Sequence, residues 1–244
     1  MKPTRAVLLA AGRGQRLRPF TDQLPKPLLP VRGRTILDAV LRAVARAGIQ
    51  HVCLVIHHLG EQVRLYAGVG DAWGLQVVYC QQEELRGSGD ALQAVHKSLP
   101  GWIDRSTPLL VSATDYLLPE NAVLELVEAH ERLGGDITVS LREYPPEQLS
   151  ARSSVALGPG WQVKQIVEKP APGTAPSRYT AALLYILPPA IWEVLPRLEP
   201  SPRGELELPE AVNMLIDAGY TACGFLQPAP AEWSPETDEN MEHV

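Results

Sequence analysis

The chain has 244 residues, 45% hydrophobic and 20% charged, with a formal net charge of −6. That length allows one large α/β domain or two small ones, and the balance suits a globular protein with a sizeable buried core. An excess of acid excludes general affinity for nucleic acid or anionic membranes, so any anion site must be local, and no apolar run reaches the length of a membrane span.

The opening "MKPTRAVLLAAGRG" is basic and then apolar, but residues 6–11 are too few for a signal-peptide core and lead into a glycine turn. A first core strand is the expectation there. "RAVLLAA" (5–11), "HVCLVIH" (51–57), "LQVVYC" (75–80) and "PLLVSAT" (108–114) all read as buried strands. Between the first two, Ile36, Leu37, Val40, Leu41 and Val44 fall on one helical face, with Thr35 as N-cap, Asp38 three residues on and Gly48 as the stop. "PENAVLELVEAHERLGG" repeats the pattern, Pro119 near its first turn and Gly134 at its end. Strands alternating with helices predict a mostly parallel sheet with right-handed crossovers.

The second half reads differently. "DITVSLRE", "WQVKQIVEK" and "YTAALLYIL" are strand-like, with Pro/Gly/Ser-rich loops such as "KPAPGTAPS" between them. Helical patterns return at "PAIWEVLPRL" and at "LPEAVNMLIDAG", where Ala211, Met214, Leu215 and Ala218 suit a buried face. The expectation is one domain over 1–244. Residues of about 1–118 would face a nucleotide, about 119–230 would form a second ligand wall, and 231–244 would be a polar, acidic tail. Cys53, Cys80 and Cys223 lie far apart in apolar contexts, without metal spacing, and read as buried thiols of a reducing cytoplasm.

The cations are unevenly placed. "LLAAGRGQRLRPFTDQLPKPLLPV" (8–31) holds Arg13, Arg16, Arg18 and Lys26 around Gly12 and Gly14, directly after the first strand. Glycines there let backbone N–H groups approach phosphate oxygens, and clustered cations repel one another unless an anion neutralises them. A dinucleotide fingerprint is excluded, because Leu17 stands where a third glycine is required, and no Gly-Lys-Ser/Thr follows for a Walker A loop. His57 and His58 are adjacent with no carboxylate spaced to complete a site, and read as core or strand-end histidines. Trp73, Trp102, Trp161, Trp192 and Trp233 are too scattered to form a stacking platform for single strands.

The stretch 8–31 closely resembles the signature of the sugar-phosphate nucleotidyltransferases, such as the glucose-1-phosphate thymidylyltransferases and the N-acetylglucosamine-1-phosphate uridylyltransferase domains. Further matches follow in the family's order to about Gly219. The resemblance implies a three-layer α/β/α, Rossmann-like fold with a mixed, mostly parallel sheet. It also implies a Mg²⁺-dependent transfer of a nucleoside monophosphate from an NTP, UTP or dTTP, to a sugar 1-phosphate. The attacking phosphate oxygen is already anionic, so positive charge and alignment are needed and a general base is not. The partners implied are the nucleoside triphosphate and the sugar 1-phosphate, without nucleic acid or membrane, and homo-oligomerisation is left open.

Residue by residue, the resemblance assigns Leu9, Ala10, Ala11, Gly12 and Gly14 to the nucleotide. Arg16 would hold the leaving phosphates and Lys26 the α-phosphate, while Arg13 and Arg18 carry weaker claims. "QQEELRGSGDALQAV" resembles the uridylyltransferases' base-reading segment, with Gln82 five residues before Gly87 and Ser88 where threonine is usual. The amide would meet an imide base by one donor and one acceptor, with Gln81 as the rival register. Asp115, just past a buried strand, would ligate Mg²⁺, the alternative being an N-cap, and Thr114 replaces the usual glycine. Glu168 and Lys169 of "QIVEKP" would bind the sugar hydroxyls and the sugar's phosphate, with Thr180 beside them and Ala182 where the family has glycine. The second metal carboxylate is displaced: after Trp233, "WSPETDEN" offers Asp238, with Glu236 as rival. That departure supports an alternative reading, a catalytically silent homologue that binds nucleotide or sugar phosphate as a regulatory subunit.

Overall fold

The computed structural model describes residues 1–227, the side chain of Arg16 excepted. In chain order the first half comprises β1 (Arg5–Ala10), β2 (Pro30–Val31), β3 (Arg34–Thr35), α1 (Ile36–Arg46), β4 (His51–Ile56), α2 (Gly60–Ala67), β5 (Gln76–Gln81), α3 (Ser88–Ser98) and β6 (Leu109–Ala113). The second half comprises α4 (Ala122–Leu133), β7 (Ile137–Glu143), β8 (Ser153–Leu157), β9 (Val163–Glu168), β10 (Tyr179–Leu187), α5 (Ile191–Val194), α6 (Leu208–Asp217) and β11 (Ala222–Leu226).

Seven strands form one sheet in the order β11-β7-β10-β6-β1-β4-β5. Every pairing in it is parallel except those of β10, which runs against both β6 and β7. β1 is apolar from Ala6 onward because both its faces are covered. Ala6, Leu8 and Ala10 join the cluster beneath α1, α2 and α4, whereas Val7 and Ala11 join the one beneath α3, α5 and α6. The fold is therefore a three-layer α/β/α sandwich on a mixed, mostly parallel sheet. α1 shows how the local sequence sets this up. Thr35 Oγ1 accepts from Asp38 N at 3.0 Å, and Leu37, Val40, Leu41 and Val44 are fully buried. Each such side chain contributes about 1.5–3 kcal/mol on burial.

Three expectations need correction. α5 is only four residues long and continues as a 3-10 turn, Leu195–Arg197, because Pro196 has no N–H to extend it. Ala218 is exposed at the end of α6, and Val212 takes the buried position instead. Cys53 and Cys80 are buried as expected, whereas Cys223 is only partly so. Four strands were not anticipated: β2 and β3, which pair with each other; β8, which pairs antiparallel with β9 outside the main sheet; and β11, which extends the sheet beside β7. Among the described residues no helix is long and apolar enough to cross a membrane.

Candidate active site

β1, β4, β5 and β6 end side by side, and the loops leaving them meet over the sheet's C-terminal edge. The loop after β1 is shaped by Gly14, whose φ of 61° is left-handed. A Cβ there would come within 2.8 Å of Thr21 Cγ2 and 3.3 Å of Lys26 Cβ, so a side chain is excluded twice over. Thr21 is buried and donates from Oγ1 to the Gly14 carbonyl at 2.9 Å, while His58 Nε2 lies 3.3 Å from the Thr21 carbonyl. His57 Nδ1 lies 2.7 Å from the Gln82 carbonyl. Both histidines thus brace loops, in keeping with their strand-end reading. Lys26 follows on a 3-10 turn, Lys26–Leu28, whose Leu28 is buried in the core with the following Leu29.

Lys26 Nζ donates to Asp115 Oδ2 at 3.3 Å. Asp115 is exposed but flanked by anchors. Thr114, buried, donates through both N and Oγ1 to the Leu9 carbonyl, at 3.2 and 2.8 Å, tying β6 to β1. That gives the unexpected threonine a structural task. Tyr116 donates from Oη to the Leu183 carbonyl at 3.3 Å, and its ring lies 4.2 Å from Arg142 Cζ. Asp115 does not cap a helix, since α4 starts at Ala122 with Asn121 in the cap position.

These loops enclose a cleft of about 300 Å³. Leu9, Ala10, Ala11, Gly12, Lys26, Gln82, Gly87, Ser88 and Asp115 all line it, whereas Gly14 does not and packs against Thr21 and Lys26. Gln81 is exposed at the end of β5, whereas Gln82 is buried in the cleft, so Gln82 is the one placed to meet a ligand there. Both hydrogens of its amide are engaged: Nε2 donates to the Gly87 carbonyl at 3.2 Å and to Asp90 Oδ2 at 2.8 Å. The expected one donor and one acceptor is thereby narrowed to one acceptor.

Gly87, at φ 106°, has no room for a Cβ, which would sit 2.5 Å from the Leu206 carbonyl oxygen. Leu206 N donates to the Arg86 carbonyl at 2.6 Å, Gly89 N to the Leu206 carbonyl at 2.8 Å, and Leu208 N to Ser88 Oγ at 3.0 Å. The "GELEL" segment thus latches the turn that opens α3. The Ser88 hydroxyl is part of that latch as well as of the cleft wall.

A second cleft, of about 810 Å³, lies between β9, α6 and the loop before α6. Glu168 lines it, together with Arg197, Arg203, Glu207 and Asn213. Burial pushes the Glu168 carboxyl above the usual glutamate range, and the neighbouring Glu207 adds to this. Arg203 Nη2 pairs with Glu207 Oε1 at 2.6 Å. Arg203 and Glu207 were not singled out from the sequence. Their alternation in "RGELEL", with a charged side chain every second residue, was the signal that could have found them.

Other expected residues fall elsewhere. Lys169 is exposed, at a left-handed φ of 45°, and lines neither cleft. Thr180 is buried with its hydroxyl 3.4 Å from the Arg142 carbonyl, and it too lines neither cleft. Arg16 lies in a 3-10 turn, Gln15–Leu17. Arg13 is exposed, and Arg18 pairs with Asp22 at 3.1 Å on the surface. Asp238 and Glu236 lie outside the described residues. Among the described residues no three His, Cys, Asp or Glu side chains gather as a metal cluster.

A strand, glycine turn, lysine and carboxylate in this arrangement invite comparison with known proteins. Residues 5–234 match the nucleotidyl transferase family. The chain belongs to that family. Among its relatives is the low-salt glycan biosynthesis nucleotidyltransferase Agl11 of Haloferax volcanii, 31% identical over 88% of this chain and 58% of that protein. A glucose-1-phosphate thymidylyltransferase of Streptomyces griseus is 32% identical over the same shares, 88% and 58%. The chain therefore spans little more than half the length of these two relatives. A crystal structure of UDP-glucose pyrophosphorylase complexed with UDP-glucose superposes with a TM-score of 0.77 at 20% identity, over 92% of this chain and 91% of that one. This nucleotidyl transferase thus shares the fold of that protein.

Proposed function

We propose that the chain transfers a nucleoside monophosphate from UTP or dTTP to a sugar 1-phosphate, releasing pyrophosphate. The observation that carries the reading is the Lys26–Asp115 pair at the mouth of a cleft walled by Gly12 and Gln82. In-line displacement at phosphorus needs fixed positive charge and alignment, and these residues supply both. Lys26 would stabilise charge on the α-phosphate, backbone N–H groups at Gly12 and Gly14 would cradle the phosphates, and Arg16 would hold the departing pyrophosphate. Gln82 and the Gly87–Ser88 turn would hold the base. Glu168 would accept from sugar hydroxyls, with Lys169 and Arg203 available to the sugar's phosphate and Thr180 supporting the strand behind.

The residues present fit Mg²⁺. This ion is usually held by one or two carboxylates with substrate phosphates and water completing its shell, and Asp115 is exposed at the cleft. Asp115 would hold it, with Asp238 or Glu236 as a second ligand. Bound there, Mg²⁺ supplies charge neutralisation for the triphosphate.

The names of the relatives support transfer to a sugar 1-phosphate over the silent-homologue reading. Pyrophosphate release from UTP and dTTP with a panel of sugar 1-phosphates tests the proposal. Release with at least one pair is expected. Nucleotide binding without release from any pair would favour the silent homologue.

A further inference from the structure

The Gln82 amide is oriented before any ligand arrives. Its Nε2 carries two hydrogens and meets two acceptors, the Gly87 carbonyl at 3.2 Å and Asp90 Oδ2 at 2.8 Å. A carbonyl and a carboxylate only accept, so the neighbours themselves fix which end of the amide is nitrogen. The other oxygen of Asp90 accepts from Arg86 Nη2 at 3.0 Å. Gln82 is 3% exposed and Asp90 6%, so water is nearly shut out of the arrangement. Backbone bonds fix the residue as well: Gln82 N donates to the Ile56 carbonyl at 2.9 Å, and His57 meets the Gln82 carbonyl. Among the described residues no donor is bonded to Gln82 Oε1.

We propose that Asp90 is a base-specificity residue acting through Gln82: by claiming the amide nitrogen it leaves only the acceptor, Oε1, for the nucleobase. An acceptor there pairs with a ring N–H, as in uracil, thymine or guanine, and repels the lone pair of cytosine N3 or adenine N1. The inference rests on the reading that this cleft holds the nucleotide. Asp90 is a positioning residue and touches no reacting atom.

The Asp90→Asn variant makes a sharp test. Arg86 would retain the one remaining oxygen, so the new Nδ2 would face Gln82. That contact, replacing the shorter of the two that hold Nε2, would turn the glutamine amide over against the longer 3.2 Å hold of the Gly87 carbonyl, and the amide would offer a donor to the base. UTP and CTP differ little in size, so their affinity ratio reads this change alone. Calorimetric titration of the full chain with UTP and with CTP, each with Mg²⁺, should find UTP at least about tenfold tighter, as expected where a buried polar group is mispaired. In Asp90→Asn that ratio should fall by at least about tenfold. Arg86→Ala should keep the ratio, since Asp90 still only accepts.

CTP binding as tightly as UTP in the unaltered protein would overturn the proposal, and so would failure of both to bind. A folded Asp90→Asn with an unchanged ratio would also overturn it. Should Asp90→Asn fail to fold, the unaltered protein and Arg86→Ala decide the matter. Pyrophosphate release is scored separately. Its absence beside the expected ratios would refute the proposed transfer while leaving the role of Asp90 intact.

Discussion

Lys26 Nζ and Asp115 Oδ2 lie 3.3 Å apart although 89 positions separate them in the chain. The parallel pairing of β1 with β6 brings them together, because each follows the C-terminal end of one of those neighbouring strands. With no ligand the cation and carboxylate neutralise each other. On the proposed function, a triphosphate with its cation would offer both a better partner, and the pair would separate on binding.

Because the Asp115 carboxylate is exposed, although Lys26 is partly covered, the pair's contribution to stability is at most about 1 kcal/mol. Lys26→Ala and Asp115→Ala should each lower turnover by at least about a hundredfold, through lost electrostatic stabilisation. Both should leave the unfolding free energy nearly unchanged. Pyrophosphate release and urea denaturation, run on the same preparations, check the two halves of that expectation.

Gly14→Ala should injure both stability and activity. The left-handed backbone costs a non-glycine residue about 1–2 kcal/mol, and the added methyl would press on Thr21 and Lys26. A lower denaturation midpoint together with reduced turnover is expected. Gly12→Ala meets no protein atom within 4 Å, so its effect should appear in nucleotide affinity instead. Thermal melts and nucleotide titrations of the two variants separate these outcomes.

Ser88→Ala removes the acceptor for Leu208 N. A loss of about 1 kcal/mol in unfolding free energy is expected, the usual net worth of such a bond. An unchanged stability with weakened nucleotide binding would show instead that the hydroxyl serves the ligand.

Glu168 has its titration raised by burial and by Glu207. The folded protein then holds a proton that the unfolded chain has already released, so unfolding free energy should fall as pH rises from the ordinary glutamate value through the raised one. In the same window ionisation makes Glu168 a stronger acceptor for the sugar hydroxyls of the proposed substrate, so KM for the sugar 1-phosphate should fall. Glu168→Gln should reduce the slope of the stability profile, leaving the part due to Glu207, and remove the change in KM. Denaturation and initial rates measured from pH 4.5 upward check this.

Much of the fold was legible because burial on both faces leaves an unmistakable apolar run, as in β1 and β6. The cap at Thr35 was legible for the same local reason: its partner, Asp38, is three residues away. The second half was harder to read. β8 and β11 are short, and a short strand lacks the periodic signal that its pairing partner later justifies. At the site, the loop 12–26 and Asp115 stood out as local motifs. The engagement of Gln82 by Asp90 did not, since it depends on a turn whose shape is set by Leu206, far along the chain. Arg203 and Glu207 carried a local signal in the alternating charges of "RGELEL", but their place beside Glu168 comes only from tertiary packing. Thr180 misled for the opposite reason. Its position in the sequence matched a motif, while its hydroxyl was turned toward the backbone of β7.

The measurement that bears most directly on the site is a crystal structure of the full chain with UTP or dTTP and Mg²⁺. The triphosphate should lie along the loop from Gly12 to Lys26, with the metal on Asp115 and the base against Gln82. A triphosphate bound elsewhere, with Lys26 still paired to Asp115, would contradict the assignment of this cleft.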